Sequence, residues 1–98
     1  MNDTFGNSQF DPNVLKDFPG VKAVYELRRT LDLEVHQTSV RIEVWYWHSN
    51  PNSPWVTKVH TRGKRPDRWK EWPDFPWVEE RDEATAIRQA LAFIEERT

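Results

Sequence analysis

Three histidines, His36, His48 and His60, recur at intervals of twelve residues, and imidazole nitrogens are the donors a zinc ion takes most readily. In an antiparallel meander, however, successive strands run in opposite directions. His48 is therefore expected at the far edge from His36 and His60, which share one edge without a third ligand. Exposed strand ends are the expected place for all three, and no metal site is expected. Ser49 follows His48 in a turn, but no third group is placed to orient the base, so the pair lacks the arrangement that activates a hydroxyl. The acidic pairs Glu79-Glu80 and Glu95-Glu96 flank a helix, where adjacent positions point in different directions, and they read as solubilising charges. There is no P-loop, no glycine-rich dinucleotide turn, no nucleophile elbow and no His-Glu-x-x-His segment, and the chain has only three glycines for a backbone cradle. Catalysis is not expected, nor is a cofactor, and no small-molecule substrate is evident.

The chemistry that remains is that of large rings beside charges. Hydrophobic residues make up 37% of the chain and aromatic ones 13%, with six tryptophans, so a few large side chains must supply much of the burial. Net charge is −2, but it is segregated. Residues 41–70 carry seven basic and two acidic side chains, whereas residues 71–98 carry three and eight. Lys58, His60, Arg62, Lys64, Arg65, Arg68 and Lys70 are interleaved with Trp69 and Trp72. Cations contact phosphates and exposed rings stack on unpaired bases, so this stretch has a composition suited to nucleic acid. The preferred reading of the stretch is a solvated hairpin whose cations pair with Glu71, Asp74, Glu79 and Glu80.

Ninety-eight residues fit one domain with little core to spare. The chain has no cysteine, hence no disulfide framework, no thiolate nucleophile and no Cys-ligated zinc, which suits a reducing compartment. Met1 to Phe10 is polar and holds no apolar signal region, and no run is long enough to span a bilayer. A cytoplasmic location without membrane contact is expected.

Residues 1–10 cannot repay their ordering entropy by burial and read as a tail, leaving 11–98 as the domain. Asp11-Pro12 has the form of an N-cap followed by proline at the first helical position, giving a turn or two up to Phe18. From Val21 to His36 the odd positions are mostly apolar (Val21, Ala23, Tyr25, Leu27, Leu31, Leu33, Val35), with Arg29 among them signalling a bulge or bend. Ser39 to His48 alternates with Val40, Ile42, Val44 and Tyr46 on one face and Arg41, Glu43, Trp45 and Trp47 on the other. Ser49 to Pro54 is a proline-bearing loop, Trp55 to Arg62 a third strand, and Arg65 to Trp72 a fourth that Pro66, Pro73 and Pro76 confine to an edge. Asp82 to Arg97 is a helix capped by Asp82, with the stripe Ala84, Ile87, Ala90, Leu91 and Ile94, widened by Phe93. The expected fold is α+β: an antiparallel β-meander of three to four strands packed on one C-terminal α-helix.

One helix covers one face of such a sheet. The aliphatic row of Val40 is expected beneath it, leaving Trp45 and Trp47 on the other face, over which Trp69, Trp72, Phe75 and Trp77 are placed to fold. The leading expectation is a small non-catalytic protein-binding or regulatory module. Trp45, Trp47, Trp69 and Trp72 supply its contact area and Arg41, Arg65 and Arg68 its polar rim. The partner is another protein or a second copy of the chain. The alternative is a nucleic-acid binder working through Lys58, Arg62, Lys64, Arg65, Arg68 and Lys70. In the order of its elements alone, strand–strand–strand–helix, the chain resembles DNA-reading domains of the integrase arm-binding type, which implies for that alternative a sheet laid into a groove.

Overall fold

The computed structural model describes residues 11–15, 17–63 and 68–98. Residues 1–10, expected as a tail, lie outside the described residues, as do Lys64 and Arg65. A 3-10 turn at Pro12–Leu15 is followed by strands β1 (Tyr25–Val35), β2 (Thr38–Trp47), β3 (Trp55–Arg62) and β4 (Trp69–Glu71), and by helix α1 (Glu83–Arg97). The strands form one antiparallel sheet in the order β1-β2-β3-β4, and α1 packs on β2 and β3, so the fold is α+β as expected. No helix among the described residues is long and apolar enough to cross a membrane.

Local chemistry sets the ends of these elements. Asp11 opens the 3-10 turn, its side chain accepting from the Asn13 amide at 3.0 Å. Asp82 adopts extended backbone and caps α1, its carboxylate accepting from the Thr85 amide at 2.8 Å and from the Thr85 hydroxyl at 3.0 Å. These bonds hold the Asp82 carboxyl below its usual range. The loop between β2 and β3 is pinned at its base by the Trp47 amide donating to Pro54 O at 2.7 Å. The β1–β2 connection has just two residues, His36 and Gln37, both with positive φ (50° and 70°), a left-handed turn that matches the twist of the strands.

The helix-side core follows from the alternation of β2. Val40, Ile42 and Val44 are fully buried, with Val59 of β3 and Ala90, Phe93 and Ile94 of α1 packed against them. The buried helix stripe is Ala86, Ala90, Phe93 and Ile94; Ile87 and Leu91 are half-buried, and Ala84, expected in the stripe, is exposed. The correction is a small rotation of the helix that favours Phe93, whose ring meets Trp72 at 5.4 Å and Phe75 at 4.9 Å between centroids.

β1 departs most from a simple alternation. Its register on β2 shifts between Leu27 and Arg29, so Arg28 is an extra residue, a β-bulge. After the bulge Arg29, Leu31 and Leu33 face Val44, Ile42 and Val40 on the helix side; before it Tyr25 and Leu27 face Trp47 and Trp45 on the opposite side. The bulge or bend expected from Arg29 on the apolar row is thus present, and its consequence is that a single inserted residue inverts every side chain beyond it. Arg29, the charge on the apolar row, reaches Glu83 in the first turn of α1 with Nε to Oε2 at 2.6 Å. Arg28 lies over the Tyr46 ring at 4.3 Å and is salt-bridged to Glu26 at 3.0 Å.

Candidate functional site

The sheet face that α1 leaves open has two halves. At one end lie Tyr25 and Leu27 from β1, Trp45 and Trp47 from β2 and Val56 from β3, with paired register positions placing them on one surface. Here the backbone from Trp72 to Glu80 leaves the sheet edge and returns to it where Glu80 and Trp55 exchange backbone hydrogen bonds at 2.9 and 3.1 Å. Prolines 73 and 76 remove the amides a continuous ladder would need. Within this strap Phe75 turns to the helix core, while Trp77 turns to the open face, edge-on to Tyr25 at 5.9 Å and to Trp47 at 6.4 Å. Tyr25 in turn stacks on Trp47 at 5.5 Å. Val56 is fully buried on this side, away from the helix core.

Tyr25, Trp45, Lys58 and Trp77 line an open recess of about 360 Å³. Its indole donors are already committed. Trp45 Nε1 donates to Glu43 Oε1 at 3.1 Å, and Trp77 Nε1 donates to Glu79 Oε2 at 2.7 Å. Glu79 also accepts from Asn50 Nδ2 at 3.3 Å, so it ties the strap to the β2–β3 loop rather than serving only as a solvated charge. Lys58 lies beside Trp45, its ammonium 5.8 Å from the ring centroid, and no carboxylate approaches it to ion-pair distance among the described residues. Tyr25, Leu27 and Trp77 remain 43%, 43% and 50% exposed, large apolar side chains on one face that the described residues leave partly uncovered.

The other half of the face is charged and internally paired. Arg41 donates from Nε and from its second guanidinium nitrogen to Asp32 at 2.6 and 3.0 Å, which holds the Asp32 carboxyl low and raises the arginine further. The Arg41 guanidinium also lies over Trp69 at 4.3 Å, with Arg62 over the same ring at 5.1 Å. His60 Nε2 is 3.3 Å from Glu43 Oε1, an ion-pair distance at which the angles fall outside hydrogen bonding.

The structure therefore brings together Trp45, Trp47, Trp69 and Arg41 of the residues expected to form a binding surface. Trp72 is not among them. β4 has the two-residue period of any strand, so Trp69 and Trp72, three apart, face opposite sides, and Trp72 packs on Phe93 beneath α1. Of the cations expected to contact nucleic acid, Lys58 and Arg62 share the open face, Lys70 pairs with Thr61 on the helix side, and Arg68 is exposed with its carbonyl accepting from the Gly63 amide at 2.8 Å. Lys64 and Arg65 lie outside the described residues.

The three histidines face three separate carboxylates. His36 is in the β1–β2 turn, 3.8 Å from Glu95 of α1. His48 Nε2 is 2.9 Å from Glu26 Oε1, and this contact, with Arg28 in support, holds the Glu26 carboxyl below its usual range against some desolvation. His36 and His60 lie toward the same end of the sheet and His48 at the other, as expected, but His60 is on the open face while His36 reaches the helix, so the two do not converge, and His48 and His60 are largely buried rather than exposed. No group of three metal-ligating side chains converges among the described residues.

Tyr25, Leu27, Val56 and Trp77 were not singled out as site residues by sequence reasoning. Arg29 on an apolar row was the one available sign of the bulge that delivers the first two. No family model, curated protein or solved structure matches this chain.

Proposed function

We propose that this domain is a protein-binding or regulatory module, acting without catalysis in a cytoplasmic setting, whose contact surface is the open sheet face. The observation that carries the reading is the aromatic recess bounded by Tyr25, Trp45 and Trp77 with Lys58 at its rim. Large rings fixed by their neighbours offer apolar area at low entropic cost, and a surrounding band of satisfied charge is how binding surfaces keep water out. The charged half of the face supports this over a phosphate-tracking groove, because Arg41 is neutralised by Asp32, and Glu43 and Glu71 stand on the same surface as Arg62. A groove for nucleic acid requires cations free to replace counterions.

The test is capture of a specific protein from cells of the same source, on wild-type domain and on Trp45→Ala and Lys58→Glu variants shown by circular dichroism to be folded. The expected result is a partner that survives nuclease treatment and moderate salt on the wild type and is lost from both variants. Sedimentation at rising concentration covers the case in which the partner is a second copy. Capture that disappears with nuclease, or that ignores both substitutions, overturns the reading.

A further inference from the structure

The recess sets chemical limits on what occupies it. It lies over the face of the sheet, where strand amides and carbonyls point sideways rather than upward, and those of β2 beneath it are already used in the ladders to β1 and β3. The indole donors of Trp45 and Trp77 are held by Glu43 and Glu79. A segment lying here gains no main-chain hydrogen bonds from a strand, which disfavours an added strand and favours a backbone that stays hydrated in its bound form. Polyproline II is that conformation: it has no internal hydrogen bonds and little ordering entropy to lose, and it is the form in which aromatic-lined grooves take proline-rich segments.

Two further observations agree. The face already holds a proline-bearing segment of the chain itself, because Trp77, which follows Pro76 in backbone outside any ladder, sets its ring against Tyr25 and Trp47 next to the recess. Among the described residues the one charged side chain lining the recess is Lys58, whose ammonium has the Trp45 ring as neighbour and no carboxylate at ion-pair distance. An aromatic recess that already contains a cation selects against a cationic ligand and for an anionic one.

We propose that the recess binds an extended, proline-bearing, acidic segment of a partner protein. A proline ring lies between Tyr25, Trp45 and Trp77, and a neighbouring carboxylate meets Lys58. This rests on the protein-binding reading above and names the chemistry of the partner.

The experiment uses the full chain labelled with nitrogen-15 and a short synthetic peptide of alternating prolines and aspartates, followed through the indole N–H resonances. The peptide is expected to shift the Trp45 and Trp77 signals saturably and to leave Trp72, beneath the helix, unmoved. Lys58→Glu and Trp45→Ala are expected to weaken binding about tenfold or more, with Lys58→Arg retaining it. Peptides with lysine for aspartate or alanine for proline are expected to bind about tenfold more weakly. Equal binding of either control peptide, or no saturable shift at millimolar peptide, overturns the proposal. If the peptide fails while protein capture still requires Trp45 and Lys58, the open face stands as the binding surface and only the proline-and-acid assignment falls. Saturable shifts of the same indoles by oligothymidylate, with none by the peptide, overturn both readings.

Discussion

Trp47 carries a polar atom with no use in the fold. Its Nε1 is fully buried and has no partner among the described residues, while its ring is stacked on Tyr25 and met edge-on by Trp77. An unpaired buried N–H loses its hydration without recompense, so a residue that keeps the ring and drops the donor should be tolerated. Trp47→Phe is expected to change unfolding free energy by less than about 1 kcal/mol, the loss of ring area offsetting removal of the orphaned donor. Urea denaturation checks this, and destabilisation beyond about 2 kcal/mol would mean that ring volume governs the site. Titration belongs at the same scale. Glu26 and Asp82 both have their folded-state pKa held below the usual range, so the stability they confer is present above the ordinary carboxylate range of about pH 4 and is lost as pH falls through and below it. Melting temperature is expected to be level from neutrality to about pH 5 and to decline below about pH 4. Glu26→Gln and Asp82→Asn should start lower at neutrality and decline less on acidification; curves parallel to the wild type would remove these two groups from the account.

At the scale of elements, β1 decides the site. The bulge at Arg28 places Tyr25 and Leu27 beside Trp47 and Trp45, and Leu31 and Leu33 over the helix core. Deleting Arg28 restores a strict two-residue period, which sends either the first set to the helix side or the second set to solvent. The deletion is expected to abolish the near-ultraviolet circular dichroism of the Tyr25–Trp47–Trp77 cluster while far-ultraviolet strand content is retained. An unchanged aromatic spectrum would show that the bulge migrates along the strand. The β1–β2 turn is strained in a second way, since His36 and Gln37 both occupy left-handed backbone that side chains resist by roughly 1–2 kcal/mol per residue. Gln37→Gly is therefore expected to raise stability by about 1 kcal/mol, read as a higher denaturation midpoint at constant slope. A fall would indicate that the glutamine side chain contributes more than its backbone costs. The helix was readable in its ends and its period. Its rotation was not, because Ala84 and Ala86 are equivalent as residues and only the packing of Phe93 on Trp72 and Phe75 distinguishes them.

At the scale of the molecule, one sheet with a single helix has a dry side and a side that must be finished by other means. Here the finishing is local: Trp77 and Val56 close one end, and the ion pairs and ring contacts of Asp32, Arg41 and Trp69 close the other. The six tryptophans divide accordingly. Trp55 and Trp72 belong to the helix side, and Trp45, Trp47, Trp69 and Trp77 to the open side, where Trp77 is half exposed. Both descriptions of these residues, as packing and as surface, thus apply to different members of the set.

The sequence by itself determined the order of the elements, the two faces of β2, the whole of β3, the cap of α1 and the presence of an irregularity near Arg29. These are local matters of period, capping and proline placement, legible over a few residues. The opposed faces of Trp69 and Trp72 were also implicit, since positions three apart in a strand never share a side. Only the tertiary structure decided where the β1 bulge falls, that Phe75 and Trp77 part to opposite sides of the sheet edge, and that Lys58 lines a recess with three rings, with no carboxylate at ion-pair distance among the described residues. Those outcomes depend on side chains far apart in the chain competing for the same space, and no local pattern of residue types ranks such competitors.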